Sequence, residues 1–420
     1  MARGSPTHLP HALGRFESYY QWLKEQEGYK GQISFYAFLP GRKQGEQPLY
    51  EGRYAARLAA LGIRPYRHQV EALTAVEAGL NLVVATPTAS GKSLSYQIPT
   101  LESLAQSGTA LYLFPTKALA HDQLDKLRAL AAGFDLDHLI APYDGDTASS
   151  RRRLIREEAG CVLTNPDMLH YGILPHHEGW AKFLGKLQFI VIDELHYYRG
   201  VMGTHAACVL RRLLRLARHY GARPQLVAAS ATIGNPAEHA ANLTGLSFTA
   251  VSEDYGPRAD REMMFWRPPD LPAVEGEAGV RRRSVNSEAA DLAALCVKAG
   301  LKSIFFCNSR KSAELLRRYA AGQLADDEVA MLSSYRAGYD PKDRREIETA
   351  FKRGDVRVLT ATSALELGVD VGGVDAVVMV GYPGSMTALW QRSGRAGRGG
   401  TRALSLLIPG NDPLDEYYLN

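Results

Sequence analysis

The chain reads as an α/β protein of two tandem domains, each built on a parallel sheet covered by helices on both faces. Three observations predict this. Short apolar runs alternate with helix-length amphipathic segments, and the alternation occurs twice. The runs are apolar at successive positions, the mark of strands buried on both faces. Between the two series, residues 253–285 break the rhythm with Pro257, Pro268, Pro269, Pro272 and the run Arg281–Arg283. A length of 420 residues accommodates two cores.

Residues 1–55 read as a mixed N-terminal extension, with a helix in FESYYQWLK (16–24) and a loop at 40–48. The first domain spans 56–252. Its strands are NLVVAT (81–86), ALYLFP (110–115), CVLT (161–164), FIVID (189–193) and QLVAAS (225–230), and its helices fall at 66–78, 92–106, 116–131, 204–219 and 236–243. Residues 253–285 form a linker and entry loop, with MMFWR (263–267) as an edge strand. The second domain spans 286–420, with strands at 303–308, 328–334, 356–362, 376–382 and 403–409. Its helices lie at 286–299, 309–322, 341–353, 363–367 and 386–394.

Composition excludes several classes. With 45% hydrophobic and 22% charged residues the chain is an ordinary soluble globular protein, and disorder is not indicated. A net charge of +4 and a pI near 8.7 are compatible with nucleic acid without demanding it. Cys161, Cys208, Cys296 and Cys307 lack CxxC spacing and have apolar neighbours, so they read as buried reduced thiols, with no zinc and no disulfide. The first twenty residues lack an apolar signal core, and no stretch has the ~20 apolar residues of a membrane helix. A cytoplasmic location follows, nucleoid-associated in a bacterium.

Three strings carry chemistry. ATPTASGKS (85–93) follows a strand and opens a helix, the placement of a phosphate-binding loop. In the general pattern G-x-x-x-x-G-K-[ST] the first glycine falls at Thr86, so the loop is degenerate. Thr86, Thr88, Ala89, Ser90 and Gly91 line it, Lys92 meets the β- and γ-phosphates of ATP, and Ser93 ligates Mg²⁺. DELH (193–196) ends a buried-strand pattern. Asp193 suits Mg²⁺ coordination, and Glu194 suits positioning and deprotonating the attacking water. His196 couples the nucleotide to Ser230 and Thr232. QRSGRAGR (391–398) supplies Gln391 and, three residues apart and on one face if helical, Arg395 and Arg398, fit to stabilise charge on a transferring phosphoryl group. A solvated or nucleic-acid-contacting face competes with that reading.

In this order the strings resemble helicase superfamily 2. YRHQ (66–69) resembles the Q motif, ATPTASGKS motif I, FPTKALAHDQ (114–123) motif Ia and TNPDML (164–169) motif Ib. DELH stands as motif II in DEAD/H-box fashion, SAT (230–232) as motif III and FFCNSRKSAE (305–314) as motif IV. ATSALELGVDVG (361–372) resembles motif V and QRSGRAGR motif VI. DELHYYRGVMGTH, SSYRAGYDPKDRREIE and GYPGS are similar to the mitomycin-repair-factor group, relatives of the RecQ-like helicases. The resemblance implies two RecA-like P-loop NTPase domains and an ATP- and Mg²⁺-dependent DNA helicase, travelling 3′ to 5′ on single-stranded or tailed duplex DNA, with repair proteins as partners. It implies that Gln69 reads adenine with Tyr66 packing near the base. Thr116, Lys117, Thr164, Asn165, Ser309, Arg310 and Thr362 lie along the DNA backbone, and Gly368 and Asp370 link the second domain to nucleotide and strand. Helix capping competes for these Ser, Thr and Asn residues.

Two departures qualify it. Ala89 stands where glycine is frequent, and Pro87 removes an N–H donor. Family members also continue past motif VI into a cysteine-bearing region, so the chain reads as truncated there. An RNA helicase that melts short duplexes, and an ATP-switched binding module without unwinding activity, are the competing functions.

Overall fold

The structure, a computed structural model, describes residues 17–272, 281–336, 338–362, 365, 372–397, 401–410 and 415. The chain forms two compact units: Gln44–Gly256, and Met1–Lys43 together with Pro257–Asn420. The boundary expected across 253–285 is therefore one of two. The chain passes between units at 43/44 and again at 256/257.

Strand β1, Ile33–Leu39, belongs to the second sheet. The next seven form the first sheet: β2 Leu82–Val84, β3 Thr109–Leu113, β4 Ile140–Pro142, β5 Cys161–Thr164, β6 Leu187–Ile192, β7 Gln225–Ala229 and β8 Thr249–Val251. Their order is β4-β5-β3-β6-β7-β2-β8, and every pairing is parallel. Both faces are buried, as the continuous apolar runs require. Leu111, Leu113, Ile190 and Ile192 face one core, while Ala110, Tyr112, Phe189 and Val191 face the other. Each fully buried Leu, Ile or Val contributes about 1.5–3 kcal/mol relative to exposure. Strands β4 and β8, each three residues long, were not expected from the sequence.

The second sheet contains β1, β9 Arg261–Trp266, β10 Ser303–Cys307, β11 Leu332–Tyr335, β12 Val358–Ala361, β13 Ala376–Val380 and β14 Ala403–Ile408, in the order β1-β9-β14-β13-β10-β12-β11. Its strands pair in parallel as expected, except at one edge, where β1 pairs antiparallel with β9. The sheet moves MMFWR from the edge to the interior, since β9 lies between β1 and β14. Segments read as extension and linker thus complete one sheet. Glu262, with no exposed surface, accepts from the Tyr19 N–H (3.0 Å), the Tyr20 N–H (2.8 Å) and the Ser18 hydroxyl (2.9 Å). A carboxylate at a helix N-terminus meets both the unpaired amides and the positive end of the helix, here Tyr19–Lys24.

Where the chain passes between units, its two passages are bonded in pairs. Within the second unit Arg42 and Arg258 exchange both backbone bonds at 2.8 Å. Within the first, the Glu46 N–H donates to Tyr255 O at 2.9 Å. Of the cysteines, Cys161, Cys296 and Cys307 are buried, but Cys208 is exposed. It sits on the solvent side of helix Gly200–His219, between buried Ala207 and Val209. No helix among the described residues is long and apolar enough to cross a membrane.

Candidate functional site

Parallel strands place all their carboxyl ends on one edge of a sheet, where ligands of such folds bind. At that edge of the first sheet, β2 delivers the loop 85–93, β6 delivers Asp193, and β7, between them in the sheet, delivers Ser230. The loop is bonded largely to itself. The hydroxyls of Thr86 and Ser90 lie 2.6 Å apart, and Lys92 Nζ donates to the carbonyls of Thr86 and Pro87, both at 2.8 Å. Ser93 N-caps helix Leu94–Ala105 without spending its hydroxyl on a capping bond. Thr88 is partly exposed, and Ala89 has φ +67°. A left-handed alanine costs about 1–2 kcal/mol, which explains why glycine is the favoured occupant there. Gly91 has φ +80°, and a Cβ on it would meet Gln69 Nε2 at 2.4 Å.

Gln69 and its neighbours brace this loop. Gln69 Nε2 donates to Gly91 O at 2.9 Å, while its Oε1 accepts from the Tyr66 N–H at 2.8 Å. His68 Nδ1 accepts from the Tyr255 N–H at 3.3 Å, so the ring proton sits on Nε2 and is donated to Ser90 O at 2.9 Å. Burial lowers the His68 pKa, in keeping with a neutral ring. The Tyr66 ring stacks on that of His68, with centroids 6.0 Å apart. His68 lies inside YRHQ, but a lone histidine at a helix start carries no signal of this role.

Asp193 is buried, with Oδ1 accepting from the Glu194 N–H at 2.9 Å and Oδ2 from the Tyr96 hydroxyl at 3.3 Å. Burial raises its pKa, and the Glu194 amide and the Lys92 charge oppose that rise. Glu194 adopts φ +50°, a strained conformation of the kind found at functional turns. His196 Nδ1 accepts from the Ala231 N–H at 3.2 Å and lies 3.4 Å from Ser230 Oγ. A nitrogen that accepts from an amide carries no proton. Its 3.5 Å approach to Glu194 Oε2 is therefore not an ion pair. DELH and SAT are joined through Ser230 and Ala231, while Thr232 is exposed.

In the second unit, helix Met386–Ser393 carries buried Gln391 and Arg392, the latter over the Phe306 ring at 5.3 Å. The helix ends at Ser393, so Arg395 stands in the following turn, 5% exposed, instead of on a continued helical face. Arg398, Gly368 and Asp370 lie outside the described residues.

The residues expected along DNA divide. Thr116, Asn165 and Ser309 each N-cap a helix, accepting from Leu119, Met168 and Ser312 N–H groups at 3.3, 2.8 and 3.0 Å. Thr164 is a correction. It is 1% exposed and its hydroxyl donates to Tyr143 O at 2.6 Å, so its side chain holds β5 and reaches no surface ligand. Lys117 pairs with Asp146 at 2.9 Å, Arg310 is exposed and Thr362 is partly buried after β12. The arginines clustered in sequence at 151–153 and 281–283 are largely tied to their own units. Arg152 donates to Thr147 O, Arg153 pairs with Glu157, Arg282 with Asp270, and Arg283 with Glu288 and Asp291.

The DEAD/DEAH box helicase family model matches residues 66–240, and the helicase conserved C-terminal domain model matches 287–400. Both sheets are RecA-like P-loop NTPase sheets. The chain is 40% identical over 403 residues to the ATP-dependent helicase YprA of Bacillus subtilis, covering 94% of this chain and 53% of that one. It is 35% identical to the ATP-dependent helicase HRQ1 of Saccharomyces cerevisiae, covering 94% of this chain and 38% of the relative. The chain thus spans about half or less of these relatives. The solved structure of the DUF1998 helicase MrfA bound to DNA superposes with a TM-score of 0.87 at 38% identity, covering 96% of this chain and 54% of MrfA.

Proposed function

This chain belongs to helicase superfamily 2, close to the DUF1998 helicase MrfA, and from that premise we propose that it is the ATP-driven core of a DNA helicase. The observation that carries the reading is the gathering of Lys92, Asp193, Glu194 and the His196–Ser230 contact at one sheet edge, from strands β2, β6 and β7. MrfA bound to DNA and AMPPNP, and the Mycobacterium smegmatis helicase Lhr bound to single-stranded DNA and AMP-PNP, support DNA as the track.

In the mechanism, Lys92 exchanges the carbonyls of Thr86 and Pro87 for phosphate oxygens. Glu194 orients the attacking water and takes its proton. His196 relays the occupied state to Ser230 and Ala231. The hydroxyl of Ser93 and the carboxylate of Asp193 are hard oxygen donors that fit Mg²⁺. Burial of Asp193 strengthens the fit, since a cation relieves the cost of that buried charge. Held by Ser93 and Asp193, Mg²⁺ would supply charge neutralisation for the triphosphate. Arg395 and Arg398 stabilise the transferring phosphoryl group. Travel is 3′ to 5′, the role is in DNA repair with repair proteins as partners, and the location is cytoplasmic.

The test measures ATP hydrolysis with single-stranded DNA, single-stranded RNA and neither, beside strand displacement on duplexes with 3′ or 5′ tails. Stimulation by DNA and displacement from a 3′ tail are expected. Equal stimulation by RNA refutes DNA specificity, and displacement from 5′ tails alone refutes the polarity. Hydrolysis without displacement assigns this chain to the ATP-switched binding modules.

A further inference from the structure

We propose that Arg261 is a positioning residue for Arg395, acting through the backbone of the turn that carries it. The inference rests on the reading of Arg395 as a phosphate-stabilising arginine and extends it to a residue in a segment that reads as linker.

Arg261 opens β9, an inner strand of the second sheet, and pairs in register with Ala403 of β14. Its Nη1 donates to Ser393 O and, at 3.0 Å, to the Ser405 hydroxyl, and its Nη2 donates to Ala396 O at 3.3 Å. Ser393 is the last residue of helix Met386–Ser393, and Ala396 directly follows Arg395. One planar guanidinium therefore spans the two carbonyls that bracket Arg395, a grip that a single-point donor cannot reproduce.

The side chain is an expensive choice for this position. Burial pushes its pKa down to about 10, so it stays charged at neutral pH. Among the described residues, its hydrogen bonds run to two carbonyls and a hydroxyl, and no carboxylate pairs with it. The charge is partly buried, and what the position gains from it is the planar fork that reaches both carbonyls. The negative end of a helix offsets part of the cost, and Ser393 O belongs to that end. Met263 and Met264, on the same strand, fill their positions with apolar side chains instead.

A second observation fixes the same turn independently. Gly397 has φ +78°, and a Cβ on it would stand 3.0 Å from the Cβ atoms of both Ala259 and Ala403. Its N–H donates to Val374 O at 2.9 Å. The turn 393–397 is thus clamped from the β9 side by Arg261 and seated against Ala259 and Ala403 by a residue without a side chain. A charged group that stabilises a transferring phosphate works only when held within about 0.5 Å of its productive place, and this clamp supplies such restraint.

The test compares Arg261→Gln, Arg261→Lys, Arg395→Ala and the double variant Arg261→Gln/Arg395→Ala in the full chain. DNA-stimulated kcat, KM for ATP, affinity for ADP with aluminium fluoride and melting temperature are measured. Arg261→Gln is expected to lower kcat by about 10- to 100-fold, leave KM for ATP within about twofold and weaken binding of the phosphoryl-transfer mimic. Arg261→Lys keeps one bond and recovers part of kcat. Arg395→Ala is expected to lower kcat by about 10³-fold, and adding Arg261→Gln to it changes kcat no further. If Arg261→Gln lowers kcat by the same factor with and without Arg395, Arg261 only maintains the fold and the proposal is wrong. An unchanged kcat in Arg261→Gln also overturns it. If Arg395→Ala itself retains full kcat, the reading of Arg395 fails first, and that outcome is distinct from both others. Should Arg261→Gln not fold, Arg261→Lys carries the same kcat-against-KM comparison.

Discussion

The loop 85–93 and the turn 393–397 each carry a residue proposed to act on phosphate, yet they are built in opposite ways. The loop is held by its own side chains and carbonyls, with Thr86 against Ser90 and Lys92 folded back on Thr86 and Pro87, and by Gln69 and His68 of one adjacent helix. The turn is held from a strand far earlier in the chain, through Arg261, and by close packing at Gly397. A motif held by its near neighbours carries its geometry with its sequence. One held from a distance depends on the completed sheet, so damage to the sheet reaches its chemistry.

Four substitutions test that contrast. The largest effect is expected at the loop and its partner β6: Lys92→Ala or Glu194→Gln lowers DNA-stimulated ATP turnover by about 10³-fold, while denaturant unfolding shows a stability change of about 0.5 kcal/mol or less. Turnover near that of the wild type removes the chemical role of this region. Next, Glu262→Ala leaves the amides of Tyr19 and Tyr20 without their acceptor and Arg402, 3.6 Å away, without this partner. It is expected to cost about 3 kcal/mol in unfolding free energy, with affinity for a fluorescent ATP analogue unchanged. A loss below about 1 kcal/mol shows that the N-terminal helix is not anchored by this carboxylate.

The smallest effect concerns the charge buried in the first unit. The folded pKa of Asp193 is raised by burial above its ordinary 3.8. The folded state therefore binds the proton more tightly, and stability is lowest above the folded pKa, rising as pH falls through it. Asp193→Asn removes that penalty. The variant is expected to be inactive yet to melt at a higher temperature than the wild type at neutral pH. The gain shrinks as pH falls through the folded pKa and vanishes below the unfolded one. A variant that melts lower at neutral pH shows that the bonds to Tyr96 and Glu194 outweigh the cost of burying the charge.

Much of the first unit was legible because its signals are local. Val83, Val191 and Val227 sit in apolar runs that only a two-sided core explains, and GKS and DELH follow directly from such runs. The capping roles of Thr116, Asn165 and Ser309 were also within reach, since those residue types at helix starts commonly cap. The second unit was read less well. In ISFYAFL, Phe35, Tyr36 and Phe38 are each more than 40% exposed, so the strand shows no clean in–out alternation. Arg261 and Glu262 look like surface charges before an apolar run, and only the pairing of β9 with β1 and β14 buries Glu262 fully and Arg261 in part. Nothing near them in sequence signals that burial. The helix expected over 386–394 ends at Ser393, and beyond it Gly394 and the positive φ of Gly397 turn the chain, so Arg395 is not on a helical face.

The paired passages at 43/44 and 256/257 have a consequence for how the molecule is made. Synthesis delivers Ser18–Leu39 first, but its acceptor Glu262 and its partner strand β9 emerge only after the whole of Gln44–Gly256 has been completed, roughly 10–45 s later at ordinary elongation rates. During that interval the aromatic segment ISFYAFL has no ladder to join, while the intervening unit can close around its own seven strands. The nascent chain therefore carries a sticky, waiting strand past a finished neighbour. A polypeptide beginning at Pro257 would hold the turn of Arg395 but lack the outer strand that covers β9, so the second unit cannot be expressed as one contiguous segment without losing an edge of its sheet.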